Sequence, residues 1–84
     1  MTQKRSRLEV YLDILKVISN GTHKPTRIMY GANLSWKPLM KALESMLEQG
    51  LINADEKHAT YTITEKGRDV LHYFDKAVSL IQTM

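Results

Sequence analysis

The chain has no cysteine, which excludes disulfides and thiolate zinc sites. Its three histidines, His23, His58 and His72, share no metal spacing, and neither H-x-x-x-H nor H-E-x-x-H occurs. No apolar run approaches the ~18 residues of a membrane span, and Leu8–Ile18 is broken by Glu9, Asp13 and Lys16. The opening M-T-Q-K-R-S-R is basic but has no apolar run before Leu8. A secretory signal is therefore not expected, and an intracellular, cytoplasmic location is. Repeats and low-complexity segments are absent as well.

Catalytic patterns are missing too. There is no G-x-S-x-G elbow, no G-x-x-x-x-G-K-S/T loop and no G-x-G-x-x-G turn. Asp55 and Glu56 are adjacent carboxylates, but such a pair in a turn reads as a solvated corner. The chain reads as a non-enzyme without cofactor, metal or small-molecule substrate.

What is present is one small domain of 84 residues with an ordinary 43% hydrophobic and 25% charged content. A domain this size buries only roughly 60–65% of its unfolded surface. With disulfides and metal excluded, a second subunit is the expected extra support. The net charge is +3, a mild lean toward polyanions.

Along the chain, Lys4, Arg5 and Arg7 form a basic start without an acid. It reads as a solvated terminus or as an arm that touches phosphates. Ser6 and Glu9 have capping-box spacing. A helix then runs to about Ser19, with Leu8, Leu12, Leu15 and Ile18 on one face and Val10, Tyr11, Ile14 and Val17 widening it. Asn20-Gly21 ends it. Thr22–Pro25 is a connector. A short helix, Thr26–Ala32, offers Ile28, Met29 and Ala32 to a core and leaves Arg27 for solvent or phosphate. Tyr30 reads first as a core aromatic with a polar tip.

Gly31–Ser35 is a turn in which Gly31 or Asn33 takes the left-handed conformation and Leu34 plugs the angle. Ser35 is placed as an N-cap, and Pro38 is tolerable in the first turn. Helix three, Trp36–Gln49, buries Leu39, Leu43, Met46 and Leu47, with Ala42 beside them. Gly50 closes it, and Leu51 folds back. This is the outline of a helix-turn-helix, the unit that lays its second helix in the major groove of DNA. Leu51–Asp55 and Thr60–Thr64 read as two short strands, a wing, with Glu56–Ala59 as the loop. Thr64 caps a last helix, Glu65–Thr83, within which Gly67 is a mild penalty. Leu71, Phe74, Val78 and Ile81 are spaced 3-4-3 along it, as in a coiled-coil seam.

Lys37, Lys41, Glu44 and Glu48 line one exposed stripe of helix three. Bases come first and acids last, against the helix dipole. Broken local rules concentrate at functional sites, and a recognition helix inserts its N-terminal residues into the groove. Trp36 stands outside the buried stripe, either covering the turn against Tyr30 or touching sugar or a thymine methyl. Lys57 and His58 stand at the wing tip, beside Asp55 and Glu56.

The runs T-R-I-M-Y-G-A-N-L-S-W, L-E-Q-G-L-I and Y-T-I-T-E-K-G closely resemble an archaeal winged helix-turn-helix family. That family includes small basic dimeric chromatin-type proteins and predicted transcriptional regulators. The resemblance implies a mainly α fold with a small β-hairpin wing and a C-terminal helix that pairs with a partner as an antiparallel coiled coil. It implies double-stranded DNA as the partner, with Ser35, Trp36, Lys37 and Lys41 on the helix and Lys57 and His58 on the wing as contacts. Arg27 joins them from the reading of the second helix. The expectation is a winged-helix domain over residues 1–67 and a dimerisation helix over 68–84, in one compact unit. The whole is expected to act as a nucleoid-associated homodimer in transcription regulation. The alternative is a winged helix that docks proteins without DNA.

Overall fold

The structure is a computed structural model and describes residues 5–82. Its order is α1 (Arg7–Ser19), α2 (Pro25–Gly31), α3 (Trp36–Glu48), β1 (Ile52–Asp55), β2 (Thr60–Ile63) and α4 (Glu65–Gln82). Lys4 and Thr83 lie outside the described residues.

The first three helices stop by one device. At each end the C″ amide bonds the C3 carbonyl and the C′ amide bonds the C2 carbonyl: Thr22 to Val17 and Gly21 to Ile18, Leu34 to Met29 and Asn33 to Tyr30, Leu51 to Met46 and Gly50 to Leu47. These are Schellman motifs, which need a left-handed residue at C′. Gly21 (φ 99°), Asn33 (φ 55°) and Gly50 (φ 74°) supply it. Gly31, the other candidate in the second turn, stays inside α2. At the start of α1 the capping box is complete, with the Ser6 hydroxyl accepting from the Glu9 amide and Glu9 accepting from the Ser6 amide.

The core is one cluster. Tyr11, Ile14, Leu15 and Ile18 of α1 meet Ile28 and Ala32 of the second helix and its cap, Leu39, Ala42, Leu43 and Met46 of α3, and Leu51 and Ile52. Leu34 is half-buried against it, as a plug in the α2–α3 angle should be. The buried stripe of α1 is rotated from the expected one. Leu8 is exposed, because the capping box starts the helix one turn before the core begins. Leu47 is also at the surface, since Leu51 fills the space beneath the end of α3.

β1 and β2 pair antiparallel, with Ile52 opposite Ile63 and Ala54 opposite Tyr61. Period-two alternation puts these pairs on one face, and Ile52, Ile63 and Tyr61 pack on the core. His23 ties the hairpin to the α1–α2 connector. Its carbonyl accepts the Tyr61 amide at 2.9 Å, and its Nδ1–H donates to the Tyr61 carbonyl at 2.9 Å.

The α3–α4 junction is built on backbone. Thr64 Oγ1 donates to the Gly50 carbonyl at 2.6 Å and accepts from the Gly67 amide at 3.0 Å, so it is the N-cap of α4. Lys66 Nζ donates to the Gln49 carbonyl at 2.7 Å. Gly67 is buried. A Cβ there would overlap the Leu51 carbonyl oxygen and sit 2.8 Å from Ile63 Cγ1. Gly67 is therefore the residue that lets α4 start flush against the end of α3, not a tolerated defect.

Candidate nucleic-acid interface

α3 owes its placement to the buried stripe Leu39–Ala42–Leu43–Met46. That stripe turns Lys37, Lys41, Glu44 and Glu48 outward, and all four are exposed. Lys37–Lys41 and Glu44–Glu48 are like-charged i,i+4 pairs, each unfavourable by about 0.2–0.5 kcal/mol in an isolated helix. The reversed order against the dipole adds to this near the ends. Among the described residues Arg5 pairs with Asp13, and His58 is the other base within reach of a carboxylate, that of Asp55. Arg27, Lys37 and Lys41 thus have no carboxylate partner. The N-terminal end of α3 presents uncompensated positive charge.

Ser35 holds the N-cap position, but its side chain makes no cap hydrogen bond. Its exposed hydroxyl is left for solvent or a ligand. Trp36 is exposed as well. It does not stack on Tyr30, since the ring pair among the described residues is His72–Tyr73. Tyr30 is 79% exposed and not a core aromatic. α2 buries Ile28 and has only seven residues, so the ring two positions on is turned to solvent. It lines a shallow depression with Thr22, Thr26 and Arg27. Exposed apolar rings beside unpaired cations suit a polyanion with apolar sugar and base edges.

The wing tip is organised by Asp55. Its Oδ1 accepts the amides of Lys57 (3.1 Å) and His58 (3.3 Å), and its Oδ2 lies 2.7 Å from His58 Nδ1. Ala59 takes the left-handed conformation, φ 51°, and closes the loop. The acid beside the wing bases thus fixes the loop, and His58 is held by it. Lys57 is exposed at the tip. The α3 stripe, Arg27 and the wing tip are three separate groups, with no hydrogen bond or ion pair joining them among the described residues.

The basic start is partly spoken for. The Arg5 guanidinium donates to Asp13 Oδ2 (2.8 Å), to the Ala32 carbonyl (2.7 Å) and to the Asn33 carbonyl (2.6 Å). It covers the free carbonyls at the end of α2 and clamps the turn that aims α3. In sequence it reads as an arm because its partners lie 27 and 28 residues away. Arg7 has no such commitment.

On α4, Leu71 and Phe74 are half-buried, with Leu71 packed on the core, while Val78 and Ile81 are 47% and 71% exposed. The apolar row thus runs off the end of the domain into solvent. Three helices, a hairpin and a fourth helix follow in this order, with a tight α2–α3 turn, and the sequence matches a winged helix-turn-helix family model over residues 4–82. The chain belongs to the winged helix-turn-helix family. Among relatives of this winged helix, an uncharacterized protein of Methanocaldococcus jannaschii is 37% identical over 65 residues, 77% of this chain and 65% of that protein. A second uncharacterized protein of the same organism is 33% identical over 78 residues, 93% of this chain and 36% of that one. The chain thus spans less than two thirds of either relative's length. Among solved structures, Sso10a-2, a DNA-binding protein from Sulfolobus solfataricus, superposes with a TM-score of 0.75 at 25% identity, covering 94% of this chain and 84% of that one. No helix among the described residues is long and apolar enough to cross a membrane.

Proposed function

We propose that this winged helix binds double-stranded DNA as a homodimer, without catalysis, in transcription regulation on the nucleoid. The observation that carries the reading is the charge order of α3. Its unpaired lysines stand at the end that enters a major groove, and its acids stand where the helix leaves it. Likeness to a DNA-binding protein supports the choice of partner.

In this reading α3 is the recognition helix. Lys37 and Lys41 meet phosphates or base edges, Ser35 and Trp36 meet the backbone at the groove's rim, and Arg27 reaches a phosphate from α2. Lys57 adds a contact from the wing, and His58 a weaker one because Asp55 holds it. Leu71, Phe74, Val78 and Ile81 form the seam between subunits, so the α3–α4 junction sets the distance between the two recognition helices.

If each half-site neutralises about three phosphates, log K falls against log salt with a slope of about −5 for the dimer. The test is fluorescence anisotropy on duplex DNA across a salt series, with the double variant Lys37→Ala/Lys41→Ala. The expected result is a weaker complex and a flatter slope at unchanged melting temperature. Unchanged affinity in a folded variant would remove the hypothesis. The exposed end of the α4 row favours a second reading, a protein-docking module. Docking need not weaken steeply with salt, so the same series separates the two.

A further inference from the structure

A groove lies between the first half of α1 and α3 from Pro38 to Ser45, with a volume of about 330 Å³. Its charged lining is Arg7 and Lys41, without a carboxylate, and its apolar lining includes Val10, Pro38 and Ala42. At one side the Tyr11 hydroxyl bonds Ser45 Oγ at 2.6 Å. Neither Arg7 nor Lys41 has an ion-pair partner among the described residues.

Two unpaired cations thus share a concavity with apolar surface. Water satisfies the cations but not the apolar lining. A bare phosphate neutralises charge but covers no carbon. An anion with a flat apolar body does both. The volume is at the low end of the ~300–1,000 Å³ usual for small-molecule sites, and a body of one or two rings matches it. We propose that the α1–α3 groove binds a small amphipathic carboxylate, and that this binding opposes DNA binding.

The opposition follows from Lys41, which lines the groove and also lies on the exposed stripe of α3. An ammonium engaged by a carboxylate is withdrawn from a phosphate. By linkage, each ligand then weakens the other by the same factor. This second half rests on the DNA-binding reading; the site itself does not.

The probe is 2-naphthoate, titrated into the full chain without DNA and followed by amide NMR. Saturable shifts are expected at Val10, Ala42 and Ser45, with a Kd in the millimolar range or tighter, as suits a ligand of this size. Neutral 2-naphthamide should bind about 5-fold more weakly, and Arg7→Gln should lose a similar factor, the scale of a solvent-exposed charge pair. In the presence of saturating 2-naphthoate, at ionic strength matched with acetate, the DNA Kd should rise at least about 3-fold. Equal binding of 2-naphthamide, or shifts centred on Val78 and Ile81, would overturn the site. Groove binding with an unchanged DNA Kd would overturn the opposition. A protein that binds no DNA would overturn the opposition together with the reading beneath it, while the NMR titration still decides the site.

Discussion

Two helical glycines make a paired test of how the domain is assembled. In an open helix, Gly→Ala is stabilising by about 1 kcal/mol. At Gly67 the added methyl meets the Leu51 carbonyl oxygen, which is backbone and already the acceptor of the Thr64 amide. It also meets Ile63 Cγ1 at 2.8 Å. The oxygen, being backbone, cannot swing aside without moving the α3–α4 junction. Overpacking of this kind costs about 1–3 kcal/mol, occasionally more, and a backbone neighbour places it near the top. The net loss is about 2 kcal/mol, or roughly 8–16 °C in melting temperature for a domain this small. At Gly31 the methyl meets only Val17, with Cγ1 at 2.9 Å and Cγ2 at 3.2 Å. Val17 is a half-buried side chain and can shift. There the two terms roughly cancel, and the melting temperature should stay within about 5 °C. Thermal melts by circular dichroism at one protein concentration decide the matter. If Gly67→Ala melts at or above the parent, or Gly31→Ala falls as far as Gly67→Ala, the account of the junction is wrong.

Arg5→Ala should cost about 1–2 kcal/mol, since its charge-assisted bonds are partly solvent-screened. Amide exchange should quicken in the α2–α3 turn, and unchanged exchange there would contradict the clamp. Tyr11→Phe removes the bond to Ser45 and should cost about 0.5–1.5 kcal/mol by urea unfolding; a stability gain would count against that bond. If α4 forms the proposed seam, Val78→Asp should convert dimers to monomers by light scattering without loss of helix. A dimeric variant would place the interface elsewhere, for instance on the exposed Leu8 side of α1.

The elements were legible because their stops are local. Asn20-Gly21, Gly50 and the Ser6–Glu9 box each act within a few residues, and the structure keeps all of them. The α3 stripe was legible for the same reason, since side-chain direction on a helix follows from spacing. What escaped the sequence is set by contacts between distant residues. Arg5 reads as a loose base until Ala32 and Asn33 are brought to it. Gly67 reads as a weak helix former until the Leu51 carbonyl lies against it. Tyr30 reads as core in a helix pattern too short to tell which side is in. The α1–α3 groove needs Arg7 and Lys41 to line one concavity, and no local pattern announces that.

Three helices that terminate themselves also shape how the chain folds. Each stop closes through bonds spanning five residues or fewer, so every reversal of direction before β1 is available before any tertiary contact exists. The search is then left with docking short pieces whose lengths are already set. The distant closures come on top of these: Arg5 onto the α2 end, Tyr11 onto Ser45, His23 onto Tyr61, and Gly67 onto Leu51. Of these, the last must wait until β1 and β2 have been made. The seat of α4 thus depends on the hairpin, and a variant that loosens the hairpin should loosen α4 with it.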